Sequence, residues 1–181
     1  MIRPFVILAA TVFAGVVAWN AVADHRAISD PAAAGSVPAH CRVAGRGLFV
    51  LPDHGCTPGA VNGRVSQGTI RQTICKRGWT RTVRPPESVT EPIKRRLIRA
   101  YGYYAGHRLG SYELDHLVPL ELGGAPLDLR NLWPERGRTP NPKDSLERVL
   151  NHWVCAGRVS LARARGLIAS DWVTAYRRYV R

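Results

Sequence analysis

The sequence predicts a mainly helical α+β domain stapled by disulfides. Three observations carry that expectation. Apolar residues recur with a helical period over residues 93–101, 146–154 and 161–180. One stretch, residues 112–122, alternates instead with a period of two, which argues for extended chain. Four cysteines follow an N-terminus with the features of an export signal, and an exported protein with four cysteines is most simply a two-disulfide protein. At 181 residues, 45% hydrophobic and 22% charged, the composition excludes wholesale disorder. The length suits one core, expected over residues 41–181.

The N-terminal segment sets the expected compartment. Arg3 supplies a positive start, residues 5–19 are apolar except for Thr11 and Gly15, and Ala21-Val22-Ala23 forms a cleavage site before Asp24. Residues 1–23 therefore read as a signal peptide, with an uncleaved membrane anchor as the alternative. The apolar run is short for a span. Residues 24–40, rich in Ala, Pro, Ser and Gly, read as a flexible linker. The expected location is periplasmic or secreted, with no stable membrane association once the signal is removed. Of the three pairings open to Cys41, Cys56, Cys75 and Cys155, the expected one joins Cys56 to Cys75 and so Cys41 to Cys155. No Cys-x-x-Cys occurs, which disfavours structural zinc.

Charge narrows the partner. The chain has 26 Lys+Arg against 13 Asp+Glu, a net +13 carried almost wholly by arginine. Such a surface favours polyanions, nucleic acid or anionic lipid. The competing account is that arginine richness reflects genome composition or solubility.

Residues 55–86 are turn-rich, with Thr57-Pro58-Gly59 and Asn62-Gly63 as turn signals. Val65, Ile70 and Ile74 suit a short helix or a strand. Residues 79–84 alternate Thr with larger residues and suggest a strand ended by Pro85-Pro86. Trp79 suits base stacking, though core packing is the commoner role. Residues 90–101 predict a helix capped by Thr90, with Ile93, Leu97, Ile98 and Tyr101 inward. Its outer face carries Lys94, Arg95, Arg96 and Arg99, either a phosphate-tracking surface or a solvated one. Residues 101–107 read as a loop, with His107 on the surface. A further helix starts after Asn141, the natural N-cap, with Pro142 in its first position and Asp144 near its positive end. Leu146, Val149, Leu150, Trp153 and Val154 form its buried stripe. Residues 160–181 predict two short helices, with Ser170 or Asp171 capping the second.

The chemistry concentrates at residues 112–135. Leu114, Val118, Leu120 and Leu122 alternate, Pro119 breaks any ladder, and Gly123-Gly124 permits a tight turn. Asp115 and His116 are adjacent, so on a regular strand they point apart. His116 shares the apolar parity, where a histidine is often a satisfied core residue. Glu113 and Glu121 read as surface carboxylates, with Glu113 on the parity of Asp115. A neutral imidazole can take a proton from water near neutral pH. A hard divalent cation on oxygen ligands can stabilise phosphate charge and a departing oxygen.

Asp115-His116, Pro119, Gly123-Gly124 and Asn131-Leu132, in that order, resemble the HNH or ββα-metal nuclease motif. Residues 113–135 are similar to small secreted bacterial HNH-type proteins. The resemblance spans residues 112–151, about a quarter of the chain. It implies a hairpin-helix motif and metal-dependent cleavage of DNA, with RNA as the alternative. It implies His116 as general base and Asp115 as metal ligand. Asn141 or Asp144 would be the ligand from the helix, although capping already accounts for Asn141 and the helix dipole for Asp144. It also implies Asn131 as the brace of the loop that orients the base. The cofactor expected is one divalent ion, Mg²⁺ with Mn²⁺ or Zn²⁺ as alternatives. Arg138 and Lys143 are placed to grip neighbouring phosphates. The rival readings are a non-catalytic nucleic-acid binder with an eroded motif and an envelope protein meeting anionic polymers.

Overall fold

The computed structural model describes residues 36, 40–102 and 108–180. The expected signal peptide, most of the linker and His107 lie outside the described residues. The chain is α+β, with two small antiparallel sheets, several helices and two disulfides. Among the described residues no helix is long and apolar enough to cross a membrane.

Strands β1 (Ala44–Arg46) and β2 (Phe49–Leu51) form a hairpin. It returns the chain on itself and brings Cys56 beside Cys41, whose Cα atoms stand 6.0 Å apart in a disulfide. The second bridge joins Cys75 to Cys155. The expected pairing of Cys56 with Cys75 and Cys41 with Cys155 is thus corrected. The hairpin lay unrecognised in the sequence, and it closes a loop too short to leave Cys56 for a distant partner.

Residues 79–84 also differ from expectation. Helix α1 (Trp79–Val83) forms where a strand was expected. Gly78, at φ 82°, swings the chain into it, and the Thr82 hydroxyl donates to the Trp79 carbonyl at 2.7 Å. Thr hydroxyls can bond backward into a helical turn, so their alternation does not demand a sheet. Helix α2 (Glu87–Ala100) starts three residues before Thr90, which lies inside it; the extended Pro86 precedes its first turn.

Strands β3 (Tyr112–His116) and β4 (Leu132–Arg136) pair antiparallel, and helix α3 (Pro142–Cys155) follows. Asn141 caps α3 as the sequence indicates. Its side chain accepts from the Asp144 amide at 3.2 Å, and the Asp144 carboxylate accepts from the Asn141 amide at 2.7 Å. Helix α4 (Leu161–Tyr179) is broken at Asp171, whose carboxylate accepts from the Thr174 amide at 2.9 Å. The two expected helices are the two halves of this kinked element.

The main core lies between α3 and α4. Leu146, Leu150 and Val154 meet Leu161, Ala164, Ile168 and Trp172, all nearly without solvent contact. Trp172 also stacks on Phe49 of β2 and donates its indole N–H to the Val50 carbonyl at 2.9 Å. This fixes the N-terminal hairpin against the C-terminal helix. Complete burial of one such large apolar side chain stabilises by roughly 2–3 kcal/mol.

Candidate active site

Directly opposed residues of an antiparallel pair share a face. Leu114 and Leu132 lie on one face and pack on Ile93 and Leu97 of α2, together with Leu129. The other face is charged. Asp115 opposes Trp133, and Glu113 opposes Glu135. The first two turns of α3 close over these residues.

Lys143 is the centre of the charged face. It is fully buried. Its ammonium sits 2.8 Å from Asp115 Oδ2 and donates to Glu147 Oε1 at 2.6 Å and to the His116 carbonyl at 2.9 Å. Burial disfavours its charge, but the carboxylates of Asp115, Glu147 and Glu135 outweigh that and raise its pKa. It remains an ammonium ion. Trp133 adds an indole N–H to Asp115 Oδ2 at 2.7 Å. Both donors use the same oxygen of Asp115, so no described residue bonds Oδ1.

One ammonium faces more carboxylate than it neutralises. Burial pushes the pKa of Glu135 well up, and the charge of Asp115 pushes it further. Glu135 Oε2 accepts from Asn141 Nδ2 at 3.2 Å, while its buried Oε1 has no partner among the described residues. Burial raises Glu147 as well, against the pull of Lys143. Glu113 is raised by its partial burial and accepts from the Thr139 hydroxyl.

His116 ends β3 and is 9% exposed. Its Nε2 lies 3.0 Å from the Pro126 carbonyl. A carbonyl only accepts, so Nε2 carries the proton and Nδ1 is left as the acceptor. Burial lowers the imidazole pKa to about 4, even though the Pro126 bond and Asp115 pull the other way. The ring is neutral at neutral pH.

The loop holding Pro126 is tied from two sides. Asn131 is fully buried and works as a brace. Its Oδ1 accepts from the Val118 amide at 2.9 Å, and its Nδ2 donates to the carbonyls of Val118 at 2.9 Å and Ala125 at 3.1 Å. Gly124 sits so close that a Cβ there would lie 1.7 Å from the Val118 carbonyl oxygen. From α4, Arg165 donates to the carbonyls of Leu122 at 2.8 Å, Val65 at 3.0 Å and Gly123 at 3.3 Å.

A cleft of about 320 Å³ opens over these groups. Asp115, His116, Glu113, Asp144 and Glu147 line it, with the exposed Arg84 and Arg148 beside Glu121. Adjacent Asp115 and His116 both reach it because the strand ends at His116. Of the expected site residues, Asp115, His116 and Asp144 therefore come together, and Asn131 stands behind them as the loop brace. Asn141 is occupied by the cap and by Glu135, and does not line the cleft. Lys143 is corrected from a phosphate-gripping residue: its ammonium is enclosed by Asp115, Glu147 and the His116 carbonyl. Arg95, Arg96, Arg99 and Arg138 are exposed. Arg95 pairs with Glu91 at 3.1 Å, and Arg138 donates to the Gly110 carbonyl at 3.0 Å.

Glu147, Arg84 and Arg148 were missed. Glu147 has a readable signal, because it falls three residues after Asp144 and four after Lys143, on one side of the helix. Arg84 has none, since its place depends on the unexpected helix α1.

Among the described residues no three His, Cys, Asp or Glu side chains form a ready cage for a metal. The donors facing the cleft are carboxylate oxygens of Asp115, Asp144 and Glu147. They fit a hard ion that keeps most of its waters and takes one or two protein carboxylates, as Mg²⁺ does, and they fit Zn²⁺ poorly.

The fold and cleft define an α+β protein with a carboxylate-and-histidine pocket on a hairpin-helix frame. Compared with protein-family models, with curated proteins and with solved structures, the chain shows no match.

Proposed function

We propose that this cleft is an HNH-type active site that hydrolyses phosphodiester bonds of nucleic acid, DNA before RNA, in an exported protein. The observation that carries the reading is the 3.0 Å contact of His116 Nε2 with the Pro126 carbonyl, which implies the ring's tautomer. Its Nε2–H is committed to the Pro126 carbonyl, which leaves Nδ1 on a neutral ring as a proton acceptor beside Asp115.

In that reading His116 Nδ1 takes the proton of the attacking water. Asn131 holds the loop whose carbonyl fixes the ring. Arg84 and Arg148 hold the phosphate oxygens at the mouth. Lys143 and Trp133 both hold Asp115 Oδ2 and so orient that carboxylate. A divalent ion bound by Asp115, with Asp144 or Glu147, would neutralise the phosphate and stabilise the leaving 3′ oxygen.

One observation favours the rival, a non-catalytic binder. Lys143 already supplies a cation to Asp115, at 2.8 Å from Oδ2. Plasmid nicking separates the two. The oxidised protein is assayed with Mg²⁺, Mn²⁺ or EDTA beside His116→Ala. Metal-dependent nicking that drops at least a hundredfold in the variant supports the nuclease. Salt-sensitive DNA retention without nicking in either protein moves the assignment to the binder.

A further inference from the structure

The cleft does not end at His116. Glu121 and Arg148 belong both to it and to a neighbouring groove that runs to the Cys75–Cys155 disulfide. That groove is lined by Lys76, Arg77 and Trp79 from one side and by Asn151 and His152 of α3 from the other. Lys76 and Arg77 are exposed, and neither has an ion-pair partner among the described residues. Glu121 is the one carboxylate in this lining, against Lys76, Arg77 and Arg148.

Another groove, which shares Glu113, Leu114 and Thr139 with the cleft, has a different balance. Lys94 and Arg138 line it together with Glu87, Glu91 and Glu113. Its two cations stand among three carboxylates, one of them, Glu91, paired with Arg95, so this lining is less basic than that of the disulfide groove.

We propose that the groove beside the Cys75–Cys155 disulfide is a second phosphate subsite, through which one strand of nucleic acid leaves the cleft. Lys76 and Arg77 hold backbone phosphates beyond the one at His116, and Arg148 bridges the two positions. Trp79, half-buried, offers an aromatic surface to a base. The disulfide fixes this wall: it ties the segment before α1 to the end of α3, and Asn151 donates to the Ile74 carbonyl at 3.3 Å. The inference rests on the nucleic-acid reading of the cleft, but it concerns binding and not turnover.

The test measures affinity of the intact, oxidised protein for a fluorescent single-stranded DNA 20-mer in EDTA over a range of salt. The variants are Lys76→Ala/Arg77→Ala and, as an equal loss of charge on the β1–β2 hairpin, Arg42→Ala/Arg46→Ala. The groove pair is expected to weaken binding roughly tenfold and to reduce the slope of log affinity against log salt by about 1.4, for two contacts on a single strand. The hairpin pair should shift neither by more than about twofold. Equal losses in both pairs, or no loss in the groove pair, would overturn the subsite. Thermal melting of each variant checks that the fold is retained, and Lys76→Glu/Arg77→Glu gives a second reading, a larger loss if the subsite is real. The outcomes separate from those of nicking: wild-type protein that nicks DNA with unchanged groove-pair binding keeps the nuclease and loses the subsite. Binding lost in a protein that never nicks keeps the subsite alone.

Discussion

The two faces of the β3–β4 hairpin are made from alternate residues of the same ten, and they are built on opposite terms. Against α2 lie Leu114 and Leu132 with Leu97, Ile93 and Leu129, a dry contact of ordinary hydrocarbon. Against α3 lie Asp115, Glu135 and Trp133 with Lys143 and Glu147, a contact made of charge. Both are buried. The apolar face needs no explanation beyond the hydrophobic effect. Buried ion pairs return little net stability over well-packed hydrocarbon. The same two strands therefore carry one face that hydrocarbon burial explains and one that it does not.

The contrast breaks most visibly at Lys143. Lys143→Met removes the cation and leaves Asp115, Glu147 and Glu135 facing one another. We expect a loss of about 4 kcal/mol in urea unfolding at neutral pH, the range for breaking a buried pair from one side. A loss under about 1 kcal/mol would show that the carboxylates are already neutral. Leu97→Ala is the matching change on the dry face. It should cost about 3 kcal/mol through lost burial and a cavity, and this loss should not vary between pH 5 and pH 8.

The smallest effect is the sharpest in sign. His116 has its pKa lowered from 6.5 to about 4 on folding. The unfolded chain therefore binds more protons below pH 6.5, and stability falls as pH falls towards 4. Between pH 7 and pH 5 the contribution lost is roughly 2 kcal/mol. His116→Gln keeps a donor for the Pro126 carbonyl and has no such titration, so the wild-type minus variant stability should shrink by that amount over this window. A constant difference would mean that the imidazole is not desolvated as described.

Much of this was legible in the residues. The Asn141-Pro142-Lys143-Asp144 start of α3, the apolar stripes of α3 and α4, the break near Asp171 and the extended Asp115-His116 segment depend on local geometry, and each stands where the sequence put it. The brace role of Asn131 comes from the resemblance and not from local geometry, and its amide does bond the backbone of Val118 and Ala125. What failed depends on distance. Lys143 looks like a solvated cation beside Pro142, and only the approach of β3 encloses it. The disulfide pairing followed from a hairpin with three-residue strands, too short to show a period. Arg84 reaches the cleft because α1 packs against residues 120–122, a contact that no window of sequence contains.

Arg165 carries a consequence in the order of synthesis. Its guanidinium closes the turn at Leu122 and Gly123 from a position 43 residues past Leu122. That turn leads into the loop whose carbonyl orients His116. A ribosome or a translocating channel releases the hairpin long before it releases α4. Until that helix arrives, the loop keeps its tie to Asn131 but lacks the clamp on the turn before it. Helix α4, which looks like packing, therefore also sets a sequence of assembly: the turn beside the cleft is complete only once Arg165 has joined the fold.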